Sequence, residues 1–282
     1  MLFFSGCKIN LGLRIVRKRH DGFHDIETVF YPVGWKDAIE FLPGHETNIE
    51  ILGRTLDGNA SDNYVVRAYN ALAKKHPLPK LHFKLLKNVP AGAGLGGGSA
   101  NAALTLKQLN DSFEIGLVEN ELSELTQSIG SDCAFFLRGV PCLATGRGEK
   151  LEPVEVDLSG YWLFVLFPEI HLNTALAYKT FAQRGRYYNS EIPLTEIIHQ
   201  GVDAWKVGLI NDFEDVVFDV HPALEKIKTG LYENGAVYAS LSGSGSALFG
   251  WFEQKPDGAM LCKTLGIKPE NHWLEPGRRF GL

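Results

Sequence analysis

The sequence predicts an α+β protein divided into two domains. Strand-like and helix-like segments alternate without the strict period of a βαβ fold. A charge-rich stretch at residues 150–157 separates two halves, each long enough to bury a core. Each half also carries a glycine run at the end of an apolar strand. The seam divides the 282 residues into an N-terminal domain, 1–155, and a C-terminal domain, 156–282.

The elements follow in order. Residues 9–15 alternate apolar and polar, and residues 28–33 are β-branched and aromatic, so both are expected as strands. Between them Arg19-His20-Asp21-Gly22-Phe23-His24 forms a turn with exposed polar groups. Asp62 is expected to cap a helix over 63–75, with Val65, Ala68 and Leu72 on one face. Leu81, Phe83 and Leu85 alternate with His82 and Lys84, a strand that feeds the first glycine run. Helices are expected at about 99–109 and 119–129, with Gly130 stopping the second and leaving Ser131-Asp132 past its end. Gly146-Arg147-Gly148-Glu149 is a turn, and residues 161–167 are an apolar strand. Thr174 lies in a polar loop before a helical pattern around Tyr178, and a poorly periodic stretch runs to about 219. Pro222 starts a helix through Leu224, Ile227 and Leu231 that stops at Asn234-Gly235. Residues 236–241 form a strand that ends in Ser242-Gly243-Ser244-Gly245-Ser246.

Composition narrows the function. Hydrophobic residues make up 45% and charged residues 22%, as in ordinary globular proteins. A net charge of −5, with no basic run beyond Arg17-Lys18-Arg19, argues against a nucleic-acid surface. Cys7, Cys133, Cys142 and Cys262 have no CxxC spacing, so reduced thiols in a cytoplasm are expected, without zinc or disulfides. Leu2-Phe3-Phe4-Ser5-Gly6-Cys7 faintly resembles a lipoprotein processing site but is too short for a signal peptide. No apolar run approaches the ~18 residues of a membrane span.

The chemistry concentrates in Pro90-Ala91-Gly92-Ala93-Gly94-Leu95-Gly96-Gly97-Gly98-Ser99-Ala100. A backbone this free of side chains curls its N–H groups around an anion, and the Ala-rich helix behind it offers an amide-rich, positively polarised N-terminus. The stretch is therefore a phosphate cradle. It lacks the Gly-Lys-Ser/Thr of a Walker loop. Gly92, Gly94 and Gly97 satisfy the dinucleotide G-x-G-x-x-G spacing, but a second helix follows where that fold needs a strand. The His-Arg-Asp and Asp-Phe-Gly signatures of protein kinases are absent.

With this cradle in place, the chain resembles the GHMP small-molecule kinases, the group of galactokinase, homoserine kinase, mevalonate kinase and phosphomevalonate kinase. The cradle matches their signature loop, Cys7-Lys8-Ile9-Asn10-Leu11 their N-terminal motif, and residues 241–250 their C-terminal glycine motif. Gly22-Phe23-His24 and Gly130-Ser131-Asp132 match the branch that acts on a cytidine diphosphate alcohol. The resemblance implies a ribosomal-protein-S5-like N-terminal domain and a ferredoxin-like C-terminal domain. It also implies ATP as phosphoryl donor, Mg2+ held mainly by phosphates and water, and a small-molecule cytidine diphosphate substrate. The reaction implied is phosphorylation of the 2-hydroxyl of a cytidylylated methylerythritol, a step of the non-mevalonate route to isoprenoid precursors. A cytoplasmic monomer or weak homodimer is expected, with neither nucleic acid nor membrane as partner.

By the same resemblance Asp132 is the base that takes the alcohol proton, and Lys8 pairs with it. A lysine between Cys7 and Ile9 at a strand start already suggests a buried role. Asn10, one pleat further along, is expected on the substrate or on Asp132. Phe23 and Tyr178 are expected to sandwich the cytosine, His24 to read its edge, and Thr174 to lie near the diphosphate or ribose. Lys87 reads either as a solvated strand-end lysine or as a cation near the nucleotide. Asn63 reads as a cap or as an adenine-side contact, and Ser99 is the one side chain offered to magnesium. The chain departs from the family pattern at Cys7 (commonly Ala), at Phe23 and Tyr178 (commonly Tyr then Phe), and at Gly92-Ala93-Gly94, which replaces a run of glycines.

Overall fold

The computed structural model describes residues 1–56, 58–185, 187 and 192–281. They form two compact units that exchange chain: Met1–Lys8, Pro32–Ala91 and Gly96–Gly139 in the first, Ile9–Tyr31, Gly92–Leu95 and Val140–Leu282 in the second. The expected seam at residues 150–157 instead carries paired strands, and the units part at Gly139, where a left-handed glycine ends a helix.

In the first unit the strands are the opening half of β1 (Leu2–Lys18), the closing half of β2 (His24–Pro43), β3 (Asn48–Gly53) and, after α1 (Tyr64–Ala73), β4 (Leu81–Lys87). β2 pairs antiparallel with β4, and β3 runs parallel to β4. Along β2 the odd positions Val33, Trp35, Ile39 and Phe41 are buried, as are Phe83 and Leu85 on β4. α1 and α2 (Gly97–Ser112) complete this core with Val65, Leu72, Leu106 and Leu109. α3 (Glu119–Gln127) and α4 (Cys133–Arg138) follow. One expectation shifts here: Asn63, not Asp62, caps α1, because its Oδ1 accepts from the Val65 amide at 2.9 Å. Ser131 and Asp132 lie past the end of α3 as expected, and Asp132 also stands at the N-terminal boundary of α4, a short helix that residues 133–138 form with Phe135 and Phe136 packed edge to face.

The second unit holds the strands β5 (Cys142–Thr145), β6 (Lys150–Pro153) and β7 (Val156–Asp157), with β5 joined to β2. β8 (Trp162–Leu166) leads to α5 (Thr174–Arg184), α6 (Leu194–His199), α7 (Val202–Gly208), α8 (Glu214–Val220) and α9 (Pro222–Glu233). β9 (Tyr238–Leu241), β10 (Leu248–Phe252), α10 (Gly258–Leu265), β11 (His272–Pro276) and β12 (Arg279–Phe280) close the chain. β11, β8, β10 and β9 form a four-stranded antiparallel sheet. Its core gathers Phe164, Leu166, Leu248 and Leu241 with Leu13, Ile15 and Ile26 from β1 and β2. β1 is buried without a break from Cys7 to Ile15, so the expected half-buried alternation gives way to a strand covered on both faces. The poorly periodic stretch before residue 219 contains short helices of six or seven residues, too brief for a 3.6-residue repeat to register.

Candidate active site

The glycine run belongs to both units. Gly96 takes the left-handed conformation (φ 68°) immediately before α2, and its carbonyl accepts the first helical bond, from Ala100 N at 2.9 Å. The amides of Gly97, Gly98 and Ser99 therefore have no intrahelical acceptor, and no side chain caps them. These amides and the helix dipole form a site for an anion. Their surroundings are close: a Cβ at Gly97 would lie 3.1 Å from Val89 and 3.2 Å from Lys87 Nζ, and one at Gly98 would lie 2.9 Å from the Tyr64 ring. Asn63, capping α1 beside Tyr64, is thus one residue from a direct neighbour of the loop.

Gly92–Leu95 lies with the second glycine run in the other unit. Ala247 N donates to Ala93 O at 3.0 Å, and Ser242 Oγ donates to Gly94 O at 3.0 Å. Gly94 has φ 78°, and a Cβ there would fall 2.0 Å from Ser242 O. Two glycine motifs about 150 residues apart in sequence are therefore laced together by one backbone–backbone bond and one from the Ser242 side chain.

Lys8 and Asp132 meet in the first unit, with Nζ 3.5 Å from Oδ2. The lysine side chain is 4% exposed and the carboxylate 29%, so the ammonium is enclosed while the carboxylate stays open to a ligand. Burial lowers the Lys8 pKa below its usual value, against the opposing charge and hydrogen bond of Asp132. A Cβ at Gly96 would lie 3.2 Å from Lys8 Cε, which brings the lysine stem directly against the loop. Cys133, next to Asp132, is fully buried, and burial pushes its thiol up to about 12, so it is inert beside the site.

Lys87, read from sequence as solvated or nucleotide-facing, is buried with its Nζ on Asp37 Oδ2 at 2.5 Å. Sequence reasoning missed Asp37. The available signal was a charged residue at an odd, inward-facing position of an alternating strand. Ser99 Oγ makes a hydrogen bond with the Cys133 thiol. Among the described residues no group of three or more His, Cys, Asp or Glu side chains gathers to hold a metal.

In the second unit Asn10 Nδ2 donates to Thr28 Oγ1 at 3.0 Å. Phe23 projects from its turn 54% exposed, with the Arg147 guanidinium 4.7 Å from its ring centre. Asp21 shapes that turn, accepting from Phe23 N at 3.1 Å and from the Arg19 fork. His24 is buried and stacks on Tyr178 at 5.0 Å, while Tyr178 meets Phe213 edge to face at 4.8 Å. His24 Nε2 is buried with no hydrogen-bond partner among the described residues. Desolvation and the nearby Lys18 charge lower its pKa, which keeps the imidazole neutral at pH 7. Thr174 Oγ1 and Ser244 Oγ share a hydrogen bond at 2.8 Å. Phe23 is thus an open platform, whereas Tyr178 already carries His24 on its face.

The chain is a small-molecule kinase of the GHMP type. The family described as GHMP kinases N terminal domain matches residues 63–140, and that described as GHMP kinases C terminal matches residues 199–263. The 4-diphosphocytidyl-2-C-methyl-D-erythritol kinase of Parabacteroides distasonis is 44% identical over 254 residues, 90% of this chain and 92% of the relative. The kinase of the same name from Bacteroides thetaiotaomicron is 42% identical over 277 residues, 97% of this chain and 96% of the relative. The chain belongs to the 4-diphosphocytidyl-2-C-methyl-D-erythritol kinase family. A crystal structure of 4-(cytidine 5'-diphospho)-2C-methyl-D-erythritol kinase superposes with a TM-score of 0.82 at 26% identity, covering 100% of both chains. The mevalonate kinase of Methanococcus jannaschii, at 13% identity and a TM-score of 0.69 over 100% of this chain and 98% of its own, shares the fold.

Proposed function

We propose that this kinase transfers the γ-phosphoryl group of ATP to the 2-hydroxyl of 4-diphosphocytidyl-2-C-methyl-D-erythritol, giving the 2-phosphate and ADP. The observation that carries the reading is the Lys8–Asp132 pair, whose carboxylate is open and whose ammonium is enclosed. As the alcohol oxygen bonds to phosphorus and the bond to the ADP oxygen breaks, the hydroxyl proton passes to Asp132 and then to solvent. Lys8 keeps a positive charge beside the developing alkoxide and fixes the carboxylate's direction. The amides of Gly97, Gly98 and Ser99 take phosphate oxygens. Magnesium would arrive with ATP, held mainly by phosphate oxygens and water.

The cytosine stacks against Phe23 and the His24–Tyr178 pair. Neutral His24, with its orphaned Nε2, supplies the hydrogen bond that reads the base edge. Thr174, beside Ser244, offers a hydroxyl to the diphosphate or ribose. The four cysteines are buried free thiols, which supports a reducing, cytoplasmic setting. No described helix is long and apolar enough to cross a membrane. The decisive experiment is ATP-to-ADP conversion with and without the cytidylylated alcohol. Turnover only in its presence supports the reading, and equal turnover with mevalonate or homoserine overturns it.

A further inference from the structure

The glycine loop leaves one strand and enters one helix, and a single buried carboxylate outside the sequence motif holds both. Asp37 is fully buried on β2. The pairing of Ala38 with Leu86 brings it against Lys87 at the end of β4. Its Oδ1 accepts from Asn88 N and Val89 N, each at 2.8 Å, the two peptides that lead into Pro90. Its Oδ2 accepts from Lys87 Nζ at 2.5 Å and from Asn101 Nδ2 at 3.0 Å. Asn101 lies one turn into α2 and also donates to Ser5 Oγ on β1 at 2.6 Å. The residues Asp37 grips touch the cradle itself, because Val89 and Lys87 Nζ are the nearest neighbours of a Cβ placed at Gly97.

We propose that Asp37 is the positioning residue of the phosphate-binding loop, fixing the strand exit and the helix entrance to one carboxylate so that the amides of Gly97, Gly98 and Ser99 are aimed before nucleotide arrives. An ionised carboxylate can serve several donors in different directions, which a neutral side chain of the same size cannot. In a buried site, losing one of those acceptors leaves a cation or an amide unpaired, and the held segments must move to recover a partner. That movement reaches Gly97 directly, since no side chain there buffers it. The inference rests on the reading of this loop as the ATP site.

The test is ATP binding by calorimetry in the presence of Mg2+, with the thermal unfolding midpoint and the KM of the cytidylylated alcohol measured alongside. Asn101→Ala releases the helix entrance, and with it Ser5 Oγ, but leaves no buried charge unpaired. It is expected to fold and to weaken ATP binding about 3- to 10-fold, with the KM of the alcohol within about 2-fold of wild type. Asp37→Asn, which keeps the shape but turns an acceptor into a donor against Lys87 and Asn101, is expected to weaken ATP binding by more than about 10-fold in the folded protein. A purely structural Asp37 would lower the unfolding midpoint of both variants while leaving ATP affinity unchanged. Asn101→Ala with wild-type ATP affinity overturns the proposal, whether or not Asp37→Asn folds. A wild-type protein that binds no ATP overturns the reading of the loop instead.

Discussion

Asp132→Asn keeps the shape of the side chain and removes the proton acceptor, so kcat is expected to fall by roughly 10²–10⁴ with little change in ATP affinity. Steady-state kinetics with near wild-type turnover would exclude Asp132 as the base. Lys8 carries a pH signature. Burial lowers its pKa, so as pH rises its charge is lost before an ordinary lysine would lose it. The alkaline limb of kcat is expected below the usual lysine range, and Lys8→Arg, which cannot deprotonate, should flatten that limb whatever it does to the rate. An alkaline limb at the ordinary lysine value in the wild type would separate Lys8 from the chemistry. His24 acts at the other end of the pH scale. Its pKa is lowered too, so it stays neutral further into acid, and the KM of the cytidine substrate should begin to rise only below the ordinary histidine range. Tyr178→Ala removes the ring that backs His24 and is expected to raise that KM by the equivalent of ~1–3 kcal/mol, with a smaller effect on ATP.

The two glycine elements respond differently to substitution. Gly96→Val places a branched side chain against Phe136 and Lys8 at a backbone conformation that only glycine adopts readily. ATP affinity should fall and, because Lys8 is displaced with it, so should kcat. A variant with both unchanged would mean that the loop holds something other than phosphate. Gly94 lies where the first loop is laced to the second. Gly94→Ala costs about 1–2 kcal/mol for the left-handed conformation alone, before the collision with Ser242 O is relieved. Its thermal unfolding midpoint should drop further than that of Gly92→Ala, which shares the left-handed conformation (φ 65°) but whose added Cβ meets nothing within 4 Å. Long periodic elements were readable from sequence for a physical reason: β4 and α9 each span enough residues for one face to repeat. α4 and the short helices α6–α8 were not, because six or seven residues complete fewer than two turns.

For the molecule as a catalyst, the sharpest expectation concerns the base. A site arranged around neutral His24 for cytosine leaves groups unpaired when uracil replaces it, so a uridine analogue should react far more slowly, and free methylerythritol should barely react. Equal kcat/KM for the cytidine and uridine compounds would remove the nucleobase from this part of the protein. The motif residues that carry the expected chemistry were legible because backbone-only loops and a lysine at a strand start stand out in one dimension. Asp37, Asn101, Ser244 and Arg147 did not, since each matters through a partner 50 or more residues away that only the fold supplies, or through a ring on a neighbouring turn. The domain division was hidden for the same reason. A charge-rich stretch marks a seam only when each domain is one run of chain, and here Ile9–Tyr31 belongs with residues that come after Gly139.

That exchange of chain sets the order in which the protein can be made. Leu13, Ile15 and Ile26 leave the ribosome among the first residues, yet the core they join needs Phe164, Leu166, Leu241 and Leu248. At roughly 5–20 residues per second, the roughly 230 residues between Ile15 and Leu248 take on the order of 10–50 s to synthesise. Until the interval ends, part of the core that Leu13, Ile15 and Ile26 join is missing. Nascent chains stalled before residue 240 should therefore remain open to protease within residues 9–31, and chains stalled well past residue 252 should become resistant there. Early protection of that segment would mean that it finds a temporary shelter during translation.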